Sequence, residues 1–335
     1  MKDAPTSGSK RRAPPIRHMR NTPTIGWLMF ERKTANRAKT RRGKVRGTSP
    51  DHEEPANPAH APLADKAPAL GASAYLTALL AIMRREFSRF LGQRARLLSA
   101  LVRPLVWLVV FAAGFRAALG LSIMPPYETY ITYETYIVPG LCGMVLLFNG
   151  MQSSLSLVYD REMGSMRLML TSPLPRPWLL FSKLLAGTMI GVLQVYAFLA
   201  AAWAFGIDFP AWGYIAVLPA LVLGGLMLGA LGLLLSSTVK QMENFAGVMN
   251  FVIFPMFFLS TALYPLWKMA EASDVLRDIC AVNPFTQAVE TIRFALHGQF
   301  AAAPALWTLV AFAVFLIGAV WGYDPARALV RRKVR

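Results

Sequence analysis

From Leu97 onward the chain is a succession of six apolar segments, near 100–120, 137–158, 179–205, 213–237, 245–265 and 304–323. Each is close to the ~20 residues that a helix needs to cross the hydrocarbon core of a bilayer. Repetition at that length leaves few folds open, because a backbone in lipid must satisfy its own hydrogen bonds and does so as helices. Composition agrees, with 55% hydrophobic and only 16% charged residues and a positive mean hydropathy. For a soluble protein 335 residues would suggest two or three domains. Here the expectation is an all-α integral membrane domain of six transmembrane helices over 99–325. The first segment carries Arg103 near one end and Arg116 near the other, and both must snorkel towards headgroups for it to span.

The flanks read differently. Residues 1–72 are rich in Lys, Arg, Pro and Ala, lack apolar periodicity, and are expected to form a disordered basic tail. No continuous apolar run lies near Met1, which speaks against a secretory signal peptide. The acid-poor run Lys10–Arg46 imitates an organellar transit peptide, or an upstream extension from a misassigned start; a solvated cytoplasmic tail is the favoured reading. Over 73–98 a helical period places Leu76, Leu79, Leu80, Met83, Phe87, Phe90 and Leu91 on one face and Arg84, Arg85, Arg89 and Arg96 largely on the other. This predicts an amphipathic helix lying in the membrane interface.

A net charge of +17 would ordinarily raise nucleic-acid binding, but no aromatic-basic module accompanies it. Membrane topology explains it better. With the N-terminus cytoplasmic, the inside loops 159–178 and 238–244 and the basic C-terminus 326–335 hold Lys and Arg, whereas the short outside loops 121–136 and 206–212 hold none; only the longer outside segment 266–303 breaks the trend, with Lys268, Arg277 and Arg293 offset by Glu271, Asp274, Asp278 and Glu290. Six spans with both termini cytoplasmic in the cell inner membrane follow as the expectation.

Between the second and third segments lies Tyr159–Lys183, a charged, proline-closed stretch containing Asp160, Arg161, Glu162 and Arg167. Such a cluster in an apolar chain implies something outside the membrane that reads it. Intramembrane polar side chains are few: Asn149 and Gln152 in the second segment, Gln194 in the third and Asn250 in the fifth. They read as interhelical hydrogen-bond glue ahead of substrate contact. No carboxylate or basic group falls mid-bilayer in segments two to six, which argues against an ion-coupled carrier. The chain also lacks a G-x-x-x-x-G-K-[ST] loop, H-E-x-x-H, G-x-S-x-G, and with them the usual means of holding nucleotide phosphates or catalysing hydrolysis. Cys142 and Cys280 form no metal or disulfide pattern. A catalytic role and a resident metal or cofactor are therefore not expected.

Two weaker signals accompany these. The duplicate Y-E-T-Y-I at 127–131 and 133–137 reads as interfacial aromatic belt rather than a cation vestibule. Gly187/Gly191 and Gly225/Gly229 have the spacing that lets helices approach closely. After the fifth segment, Pro265 closes the span, and Asn283-Pro284 opens a helical pattern Phe285, Val289, Ile292, Leu296. On it Glu290 and Arg293 can pair. This region is expected to form helices that re-enter the outer interface.

Over Tyr75–Val330 the chain resembles the ABC-2 type permease subunits of ABC exporters. The resemblance rests on Arg161-Glu162, Gly164-Ser165, Leu168, Leu170, Ser172-Pro173 and Lys183, with Pro139-Gly140 opening the second segment, the run Ser260–Leu266, and Asn283-Pro284 ahead of Arg293. It implies a dimer, most simply of two copies, working with two separately encoded ATPases that carry the ATP and Mg. It also implies a short coupling helix between spans two and three, assigned to Asp160, Arg161, Glu162, Gly164, Ser165, Arg167, Leu168, Leu170, Ser172 and Pro173. Arg167 departs from the family, where many members are acidic. The strings at 243–251 and 172–176 are most similar to the branch exporting lipo-oligosaccharides or drug-like lipophiles. The readings from other classes are an ATP-independent channel or carrier and a membrane scaffold.

Overall fold

The computed structural model describes residues 71–92, 94–115, 125–127, 131–163, 174–239 and 241–323. The basic N-terminal tail, Arg116, the stretch 164–173 that holds most of the expected coupling helix, and the C-terminus 326–335 lie outside the described residues. Among the described residues there are ten helices and no strand. They are α1 (Ala72–Gly92), α2 (Arg94–Phe115), α3 (Tyr133–Glu162), α4 (Arg176–Ala204), α5 (Gly213–Thr238), α6 (Met242–Phe258), α7 (Leu266–Ala272), α8 (Asp274–Val282), α9 (Pro284–Leu296) and α10 (Ala302–Gly322).

Four helices, α3, α4, α5 and α10, are long and apolar enough to cross a membrane, and they correspond to the second, third, fourth and sixth segments. The first and fifth are shorter apolar helices, Leu98–Phe111 within α2 and Met242–Phe258. At 17 residues, α6 rises only about 25 Å. The expected end at Pro265 is thus too late: α6 stops at Phe258, and an irregular turn carries the chain on to α7. Ser260 stabilises that turn, its hydroxyl donating to the Phe257 carbonyl at 2.6 Å and accepting from the Ala262 N–H at 3.2 Å. Pro265 instead sits at the N-cap of α7.

The helices alternate in direction between two ends of the bundle. At one end Asp160 of α3 meets Lys183 of α4; at the other Tyr133 of α3 meets the turn after α6. α3 is the axis of the subunit, buried along most of its length, with α2, α4, α5, α6 and α9 around it. α10 packs on α5 and α9 but otherwise exposes its side chains, including Trp307 and Trp321 near its two ends, the spacing of an aromatic belt.

In lipid, apolar burial does not drive helices together, and close backbone approach must do so. Glycine supplies it here. A Cβ on Gly140 would stand 2.4 Å from the Ala262 carbonyl oxygen, and one on Gly150 3.0 Å from the Gly229 backbone. The two glycine pairs legible in the sequence are used in the same way, Gly187 and Gly191 against Ser153 and Asn149, and Gly225 and Gly229 against Thr188 and Leu184. α9 is held in this core by Phe285, Ala288, Val289, Ile292 and Leu296, all fully buried, as its period predicts. The amphipathic pattern of α1 divides instead: Phe90 is buried, while Leu76, Leu80, Phe87 and Leu91 form an exposed stripe.

Candidate functional site

The charges at the Asp160 end are engaged within the subunit. Asp160 is buried and accepts from the Lys183 ammonium at 3.0 Å, with the Arg85 guanidinium of α1 3.8 Å away. Arg161 donates to the Ser236 carbonyl at 2.9 Å and to the Val239 carbonyl at 3.4 Å. Those carbonyls close the C-terminal end of α5, where a cation is favoured by the helix dipole. The same guanidinium lies 5.0 Å from the Tyr323 ring centroid, and Tyr323 shares a 2.7 Å hydrogen bond with Ser236. Glu162 accepts from the Met242 N–H at 2.9 Å, capping the first turn of α6. A further tie joins α4 to α1, the Trp178 indole N–H donating to the Tyr75 carbonyl at 3.2 Å.

Three consecutive residues of α3 thus grip α4, α5 and α6, immediately before the stretch 164–173. The resemblance assigns Asp160, Arg161 and Glu162 to contact with a partner; the described contacts give them neighbours in the same chain. The sequence signal that would have found this is Lys183, which lies about two turns into α4, where a lone cation needs a buried anion. Gly164, Ser165, Arg167, Leu168, Leu170, Ser172 and Pro173 lie outside the described residues.

Of the intramembrane amides, Asn149 is 5% exposed and donates to the Gly187 carbonyl at 2.7 Å, a bond between α3 and α4. Asn149, Gln152 and Gln194 border one narrow cleft together with Arg103. Asn250 is apart from them, exposed on α6. Arg103, expected to snorkel, turns inward, its guanidinium 4.0 Å from the Phe148 ring centroid.

The other end carries a second polar centre. Arg293 of α9 is fully buried; it pairs with Glu290, donates to the Thr261 carbonyl at 2.8 Å and stacks 4.1 Å from the Tyr136 ring centroid. Burial opposes the charge, but Glu290 together with Tyr136 and Tyr127 outweighs it, so the guanidinium is held above its ordinary pKa. Burial pushes the Tyr127 phenol up to about 12, with Arg293 opposing. His297 is pushed below its usual value by burial, against a bond to the Arg293 carbonyl, and is therefore a neutral ring at neutral pH. Tyr136 and Tyr133 donate to the Thr261 and Leu263 carbonyls, each at 3.1 Å.

Asn283 joins the helices here. Its carboxamide oxygen accepts from the Phe285 N–H at 2.9 Å, and its nitrogen donates to the Met256 and Leu259 carbonyls at 2.9 and 2.6 Å. It therefore caps α9, with Pro284 at the first helical position, and closes α6 at the same time.

Residues 77–297 match the sequence profile of the ABC-2 type transporter family. Among curated proteins, a protein of Cyanophora paradoxa named as a transport permease, ycf38, is 28% identical over 72% of this chain and 81% of its own length. YbhR of Escherichia coli K12, named as a multidrug ABC transporter permease, is 30% identical over 62% of this chain and 55% of its own. Nodulation protein J of Rhizobium leguminosarum bv. viciae is 23% identical over 76% of this chain and 94% of its own.

Proposed function

The chain belongs to the ABC-2 type transporter family, a multi-pass membrane permease of the kind that works with an ABC ATPase, and on that premise we propose that it is the permease subunit of an ATP-driven exporter. The observation that carries this reading is the grip of Asp160, Arg161 and Glu162 on α4, α5 and α6. It ties α3, whose end leads into residues 164–173, to α4, α5 and α6 as one block. A push delivered to that stretch by a partner would move the block as a rigid body, which is what coupling to ATP hydrolysis requires. The charges of α3 act in this proposal as the link between the coupling segment and the bundle. Contact with the ATPase falls to Gly164, Ser165, Arg167, Leu168, Leu170, Ser172 and Pro173.

The finer reading completes the assembly. Two copies of the chain, each with six spans when α2 and α6 are counted, pair with two ATPases that bind ATP and Mg. The Asp160 end and both termini face the cytoplasm, α1 lies in the inner interface, and α7–α9 re-enter from outside the cell inner membrane. The substrate is a lipophile or a glycolipid or saccharide-type molecule; the multidrug name of YbhR supports the lipophilic part of that class.

Co-purification with the ATPase tests the coupling. Glu162 is a helix cap, so its reversal would disturb the fold, and the informative changes are Arg167→Glu and Leu168→Asp. Each is expected to reduce the bound ATPase about tenfold while the permease is recovered from the membrane in normal amount; undiminished ATPase and transport would sink the coupling assignment and favour a channel or scaffold. Topology has its own check. A cysteine substituted at Ser165 should resist an impermeant thiol reagent in intact cells and react in inverted vesicles, and the opposite pattern overturns the cytoplasmic placement.

A further inference from the structure

The cleft bordered by α2, α3 and α4 combines features that a purely structural site would not retain. Arg103 contributes a guanidinium with five N–H donors. Among the described residues its only hydrogen-bonding, ionic or ring contact is the face of Phe148, which engages the charge but accepts none of those hydrogen bonds. The side chains of Gln152 and Gln194 border the same cleft, and no hydrogen bond within the described residues engages either amide. Asn149, beside them, is by contrast committed to the Gly187 carbonyl.

The depth of the cleft sharpens this. Asn149 and Gln194 lie about 16 Å along α3 and α4 from the Asp160–Lys183 pair, taking about 1.5 Å per residue. That is near the middle of a hydrocarbon core of about 30 Å. At that depth an arginine is costly, and such residues mark a pathway or a ligand. Two free amides beside it add to the cost unless something hydrogen-bonds to all three. The flank of α2 next to Arg103 is apolar and exposed, through Val102, Val106, Val109 and Val110, so an acyl chain can lie on it while a polar head turns inward. The space within the cleft is about 20 Å³, enough for a water-sized group, which suits the oxygens of an acid better than a sugar ring.

We propose that Arg103, Gln152 and Gln194 form a subsite for the anionic oxyacid headgroup, phosphate or carboxylate, of a membrane-embedded amphiphile. Arg103 binds two headgroup oxygens through its fork, and the Gln152 and Gln194 amides donate to the same group. The assignment rests on the reading of the chain as a permease for amphiphiles, and it adds the charge of the substrate.

Binding is measured on the full permease with its ATPase, in neutral detergent and without nucleotide, so that a failure of energy coupling leaves the result unaffected. The probes are dihexanoyl phosphatidic acid, the uncharged dihexanoylglycerol and inorganic phosphate. Phosphatidic acid is expected to bind at least about tenfold more tightly than either of the others, and Arg103→Gln to abolish that margin. Arg103→Lys, which keeps the charge and loses the fork, should retain part of it, and the Gln152→Leu/Gln194→Leu pair should weaken binding several-fold. Equal binding by Arg103→Gln and the parent protein, or no preference for the anion over the uncharged lipid, overturns the proposal. Inorganic phosphate binding as tightly as phosphatidic acid overturns the amphiphile as its source. Should Arg103→Gln fail to fold, Arg103→Lys and the double glutamine variant decide, since unchanged affinity in both contradicts the subsite.

Discussion

Replacing Lys183 with Met should destabilise the permease by about 3–5 kcal/mol, the range for breaking one partner out of a buried ion pair. Asp160 would stay buried with the ammonium at 3.0 Å gone, and the Arg85 guanidinium at 3.8 Å, itself half exposed, is a weaker substitute. The loss is expected as a lowered unfolding midpoint in detergent, and the Asp160→Asn/Lys183→Met double variant should recover most of it because neither charge is then buried alone. The double variant also separates fold from mechanism. If the pair transmits force as proposed, the double variant is stable but transports less per ATP hydrolysed; a Lys183→Met protein as stable as its parent would show that the pair contributes little.

The second large effect belongs to Arg293. Its change to Met removes the partner of Glu290 and the donor to the Thr261 carbonyl, and it takes away the cation stacked on Tyr136. Loss of a buried, hydrogen-bonded charge of this kind again costs about 3–5 kcal/mol. Arg293→Lys should recover only part, because an ammonium cannot serve Glu290 and Thr261 with the geometry of the guanidinium fork. The turn Leu259–Tyr264 depends on this residue, so limited proteolysis near it should accelerate in Arg293→Met along with the fall in unfolding midpoint. Unchanged proteolysis and midpoint would remove Arg293 from the account of how α9 is held.

Much of the architecture is legible in the sequence because apolar length is a local property. The second, third, fourth and sixth segments reappear as helices with ends shifted by a few residues, and Asn283-Pro284 caps α9 as its residue types require. Glu290 and Arg293 pair as their spacing on one helix predicts. The fifth segment differs at its end, because apolar composition runs on through Leu263 while the helix stops at Phe258. What stops it is the Ser260 turn, whose carbonyls are taken up by Tyr133, Tyr136 and Arg293, all distant in sequence.

The candidate sites divide along the same line. That Asp160, Arg161 and Glu162 are unusual was visible from their apolar surroundings. Which groups they bind was not, because Arg161 reaches carbonyls of α5 and Glu162 an N–H of α6, and nothing in the spacing of residues along α3 specifies those neighbours. Arg103 is the clearest case. Sequence alone places a charge in an apolar helix and allows it to reach for the headgroups; the packing of α2 against α3 and α4 turns it towards Gln152 and Gln194 instead. Which segments are helices, and in what order, follows from length and apolarity, which act along the chain. Which polar groups meet depends on the helix faces and ends that the bundle brings together, and no local pattern specifies those.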